Sequence, residues 1–78
     1  MSRAERTLAA LRSALAESPR NGSLWLEVGE ILSELGRASE AAEACDEAAR
    51  HLPEGPDRRR AEELLRAELA QRPGEDEA

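Results

Sequence analysis

The chain has 78 residues, of which 17 are acidic and 11 are basic, and its formal net charge is −6. This length allows one small domain at most, and the acidity argues against nucleic-acid binding because neutralising phosphates requires a basic surface. A single cysteine excludes an internal disulfide and a metal site built from several thiolates.

Targeting and membrane signals are also missing from the sequence. No stretch approaches the roughly eighteen apolar residues of a membrane-spanning helix, and no charged-then-apolar leader opens the chain. We therefore expect a soluble, cytoplasmic protein that does not contact membranes. Every basic residue is an arginine, and this bias suggests a GC-rich, bacterial coding sequence.

Two helices are predicted in the first half of the chain, over residues 2–17 and 23–35. Leucines at three- and four-residue spacing indicate the first helix, and the proline and glycine that follow end it. Asn21 or Ser23 begins the second helix as its N-cap, and Gly36 ends it.

Two more helices are predicted over residues 38–52 and 57–72. The inward stripe of the third consists almost entirely of small residues, and the segment between the two helices contains two prolines and a glycine, which break helices. No strand is indicated, so we expect an all-α fold whose short connections make consecutive helices antiparallel. The single domain should cover residues 1–74, and the acidic tail at 75–78 should be disordered.

The second and third helices follow the spacing of a known repeat when they are placed in a 34-residue frame. The positions that match the repeat by identity are Trp25, Gly29, Ala41, Ala48 and Pro53. Val28 and Leu32 are apolar replacements at two further positions, and Cys45 is a small replacement for a large residue. Over residues 22–55 the chain thus resembles the tetratricopeptide repeat (TPR) family.

The resemblance implies an antiparallel stack of about four helices, a truncated piece of a right-handed superhelical array. In it, the first helix resembles the second half of a preceding repeat, and the fourth resembles the first half of a following one. The resemblance also implies a non-enzymatic adaptor or scaffold that binds a peptide or helix of a partner protein in its concave groove. The corresponding groove positions in this chain are Ser23, Leu26, Glu30, Ser33 and Glu34.

The chemistry of this groove indicates the kind of partner. Glu30 and Glu34 suit a basic or amphipathic segment, although both are equally well explained as solvated carboxylates on an exposed helix face. No residue cluster suggests a cofactor or a metal site. His51 and Cys45 lie six residues apart, so on one helix they point in substantially different directions and do not form a catalytic pair.

Two further expectations concern packing. Gly29 should allow close approach of a neighbouring helix, which would offset its helix-propensity cost of about 1 kcal/mol. Repeat arrays usually need about three repeats, and the first helix lacks the partner that would cover Leu8, Leu11 and Leu15. The alternative function is therefore a structural homodimer through the first helix, without an external ligand.

Overall fold

The computed structural model describes residues 2–71. Within them the chain forms four helices and no strand, which confirms the predicted all-α fold. The helices are α1 (Arg3–Glu17), α2 (Gly22–Glu34), α3 (Ala38–His51) and α4 (Pro56–Gln71). The predicted tail at 75–78, the domain end at 74 and the last residue of the predicted fourth helix, Arg72, lie outside the described residues.

Local hydrogen bonds account for two of the helix starts. Ser2 and Glu5 form a reciprocal capping box before α1, in which each side chain accepts a hydrogen bond from the other residue's backbone N–H at 3.1 Å. The side chain of Asn21 accepts from the N–H of Leu24 at 3.1 Å, so Asn21 rather than Ser23 caps α2. Each cap satisfies a backbone donor that the first turn of a helix leaves unpaired.

The turn between α2 and α3 requires a glycine. Gly36 has a φ of +76°, a left-handed conformation that side chains other than glycine disfavour. Its N–H donates to Ser33 at 3.0 Å, and the N–H of Arg37 donates to Leu32 at 2.9 Å. This is the hydrogen-bond pattern of the Schellman motif, and it satisfies the last carbonyls of α2.

The α2 helix is the centre of the stack. It packs against α1, α3 and α4, and α3 also packs against α4. By contrast, no Cα atom of α1 lies within 8 Å of a Cα atom of α3 among the described residues. Judged by Cα distances, the outer helix α1 therefore packs against α2 alone.

The core has two clusters, which the half-buried Trp25 joins because it packs against both. One cluster consists of Leu8, Leu15, Val28, Leu32, Ala41 and Ala44. The other consists of Leu26, Ala48, Leu52 and Ala61. Of the remaining predicted repeat positions, Gly29 and Cys45 are buried and Pro53 is exposed.

Two expectations about burial need correction. Leu8 and Leu15 are only 4% and 7% exposed, so the chain itself covers these two leucines of α1. Leu26, expected in an open groove, is 8% exposed because it packs in the cluster with Ala61 of α4. Leu69 of α4, by contrast, is 43% exposed.

Candidate functional site

The predicted groove residues lie along α2, but they differ in how much of each side chain is accessible. Ser23 and Glu34 are exposed, Glu30 and Ser33 are half-buried, and Leu26 is buried. Part of this variation comes from α4, which packs beside α2 and forms hydrogen bonds to Glu30 and Ser33. The accessible surface is therefore more polar than the sequence suggested.

An ion pair joins α2 to α4 on this face. Nε of Arg60 donates a hydrogen bond to Oε2 of Glu30 at 2.5 Å. This hydrogen bond is the main reason that the pKa of Arg60 is raised, and the negative charge of Glu30 is the second reason. The two side chains are 57% and 33% exposed. Water therefore screens the pair, and it contributes little to stability.

A second polar contact between the same helices is buried. The Ser33 hydroxyl donates to Oε2 of Glu68 at 2.6 Å, and Glu68 is only 4% exposed. A buried carboxylate is costly unless hydrogen bonds replace its lost water. The Ser33 hydroxyl thus supplies one of the hydrogen bonds that the buried Glu68 carboxylate needs, and it also links α4 to α2.

Cys45 lies in the interior behind this contact and does not act as a surface nucleophile. Burial raises the pKa of its thiol to about 11, with smaller contributions from the negative charges of Glu68 and Glu30. At neutral pH the thiol is protonated, and the thiolate is the reactive form of cysteine. Its position against Gly29 instead makes it a packing residue.

One residue of the exposed α2 face was missing from the predicted groove. Glu27 is exposed and lies three residues before Glu30 and seven before Glu34, which places the three carboxylates on one side of the helix. Only Glu30 forms an ion pair with a described residue. The spacing could have revealed this acidic face, because it is visible in the sequence.

The contribution of α4 was harder to foresee. Arg60 and Glu68 are eight residues apart and share one side of α4, and both reach α2. The available signal was that Glu68 stands in the apolar stripe, four residues after Leu64 and seven after Ala61. A carboxylate within an apolar stripe is exposed only if no other helix packs on that stripe. Here α2 and α3 pack against α4, and Glu68 is buried.

The described residues do not indicate other kinds of site. Within residues 2–71, no group of three or more His, Cys, Asp or Glu side chains is arranged to hold a metal ion. None of the four helices has both the length and the apolar character needed to cross a membrane.

A family model described as "Tetratricopeptide repeat" matches residues 1–61, which is most of the chain. No match was found among curated proteins or among solved structures.

Proposed function

The chain belongs to the tetratricopeptide repeat family, and from this premise we propose that it is a non-enzymatic adaptor or accessory subunit that binds a segment of a partner protein. Repeats of this family are typically interaction modules. The proposed binding surface is the exposed face of α2 with the neighbouring side of α4, and the proposed location is the cytoplasm.

The observation that carries this proposal is the row of carboxylates on α2. Glu27 and Glu34 form no ion pair with any residue from 2 to 71, whereas Glu30 forms an ion pair with Arg60. The surface is therefore acidic, in a chain whose net charge is already −6. A basic or amphipathic segment would be attracted to it, since complementary charge favours both encounter and specificity.

The predicted groove residues have different roles in this proposal. Ser23 and Glu34 contact the partner directly, and Glu30 does so together with Arg60. Ser33 and Leu26 act indirectly, because Ser33 is bound to Glu68 and Leu26 is buried beneath α4.

The packing of α1 does not favour a homodimer through this helix. That alternative relied on uncovered leucines, and two of the three, Leu8 and Leu15, are buried within the chain. Light scattering across a range of concentrations measures the oligomeric state directly. A monomer at all concentrations would exclude a purely self-associating role.

The experiment is a selection of random peptides by display, followed by calorimetric measurement of the affinity of the enriched peptides. The informative variant is Glu34→Arg, because Glu34 is exposed and has no ion pair with residues 2–71. Glu54→Arg is the matched control, since Glu54 is equally exposed and unpaired there but lies in the turn before α4. We expect basic residues among the enriched peptides, and a loss of affinity of about fivefold in Glu34→Arg alone.

Equal affinities of the two variants and the unmodified protein would contradict the proposed surface. Enrichment of acidic peptides would contradict the proposed partner chemistry. Thermal melts followed by circular dichroism establish that both variants retain the fold.

A further inference from the structure

A cleft separates α1 from α3 on a different face of α2 from the one that contacts α4. Its volume is about 350 Å³, and α2 forms its floor with Trp25, Val28 and Leu32. The residues of α2 that face α4 include Leu26 and Ser33, which come one position after Trp25 and Leu32 in the sequence. One position along an α-helix is a rotation of about 100°, so the two surfaces lie on neighbouring sides of α2.

The floor of the cleft is apolar and is held in place. Val28 and Leu32 are almost fully buried beneath the cleft, so the apolar surface that a ligand can reach comes from the half-buried Trp25 and the exposed Ala16. Nε1 of Trp25 donates to the carbonyl of Pro19 at 2.8 Å, which orients the indole ring. A cleft of this size accepts one large apolar side chain, and burying apolar area is the main source of affinity for such an anchor.

The charged residues at the rim of the cleft indicate which residues of a partner could lie next to the apolar side chain. On one side Arg12 is bound to Glu40 at 3.5 Å, and Glu40 also accepts from Arg37 at 2.6 Å. The remaining rim charge is Glu43, which is exposed and forms no ion pair with any residue from 2 to 71. The last turn of α1 contains no basic residue, so no side chain there compensates the partial negative charge of the helix dipole at its C-terminus.

We propose that this cleft is a second docking site, which receives a large apolar side chain from a partner segment whose neighbouring lysine or arginine pairs with Glu43. The inference rests on the proposed function as a protein-interaction module and adds a surface that the groove on α2 does not include. An amphipathic helix with a basic face is the partner chemistry that meets both requirements.

The chain allows a direct optical test because Trp25 is its only aromatic residue. The probe is a capped synthetic peptide of about fifteen residues, with leucines at three- and four-residue spacing, lysines elsewhere and no aromatic residue. We expect saturable binding accompanied by a change in Trp25 emission. The comparison peptide carries glutamate in place of every lysine, and it should bind about tenfold more weakly or not at all.

Two matched pairs of variants locate the binding. Ala16 lines the cleft on α1 and is exposed, whereas Ala10 is exposed on α1 away from it. Ala16→Leu should fill the cleft and weaken binding about tenfold, and Ala10→Leu should leave it unchanged. Glu43→Arg should weaken binding about fivefold, and Glu54→Arg should not.

Several results would overturn the inference. It fails if there is no saturable binding, if Trp25 emission does not respond to a bound peptide, or if Ala16→Leu and Ala10→Leu have equal effects. Binding that only Glu34→Arg weakens would overturn the cleft and support the proposed α2 surface. Concentration-dependent self-association that Ala16→Leu abolishes, without peptide binding, would identify a second copy as the occupant and also overturn the proposal.

Discussion

Gly29 of α2 lies directly against Cys45 of α3, and this contact predicts a specific interaction between substitutions at the two positions. A Cβ atom built on Gly29 would lie 2.6 Å from Sγ of Cys45, much closer than van der Waals contact. The next nearest atoms are the backbone N of Cys45 at 3.5 Å and the carbonyl O of Ala41 at 3.6 Å, both at ordinary contact distance. The sulfur atom alone therefore excludes a side chain at this position.

The magnitude follows from two opposing effects. Replacing glycine by alanine within a helix stabilises it by about 1 kcal/mol. Forcing an extra carbon into a packed interior costs about 1–3 kcal/mol. We therefore expect Gly29→Ala to lower the free energy of unfolding by about 0–2 kcal/mol. In the Cys45→Ala background the clash is removed, so the same substitution should raise it by up to about 1 kcal/mol.

The assay is a double-mutant cycle of the four proteins, measured by urea denaturation and followed by both circular dichroism and Trp25 fluorescence. The expected coupling between positions 29 and 45 is about 1–3 kcal/mol, within the range found for residues in contact. In thermal melts each kcal/mol corresponds to about 4–8 °C for a domain of this size. The reasoning is refuted if Gly29→Ala has the same effect in both backgrounds.

Three further predictions concern other contacts. Gly22→Ala should destabilise by about 1–3 kcal/mol, because its Cβ would lie 2.8 Å from Cγ and 2.9 Å from the backbone N of Leu52. Leu52→Ala should not rescue it in denaturation experiments, since the backbone atom remains. Ser33→Ala should cost about 1–3 kcal/mol by removing the hydrogen bond to buried Glu68, and adding Glu68→Leu should recover stability; failure to recover would contradict this explanation. Because burial raises the pKa of Cys45 from 9.0 to about 11, the folded state holds this proton more tightly than the unfolded state. Stability should therefore decline as the pH rises from about 9 to 11, a slope that unfolding curves of Cys45→Ala should lack.

The candidate surfaces were partly visible in the sequence. The acidic face of α2 follows from spacing alone, because side chains three, four and seven residues apart share a side of any helix. The accessibility of Leu26 to a partner could not be predicted from residue spacing. Apolar residues surround most of α2, so periodicity did not say which part of that surface α4 would cover.

The sequence by itself predicted the four helices, the glycine turn after α2 and the repeat. Local rules are sufficient for these features, since Ser2 and Asn21 cap their own helices and Gly36 adopts its turn through neighbouring backbone groups. Only the tertiary structure decided that Glu68 is buried against Ser33 while Leu69 is exposed, and that a cleft remains between α1 and α3. These outcomes depend on the distances and rotations of packed helices, which are set by side-chain volumes across the interfaces and not by spacing along one helix.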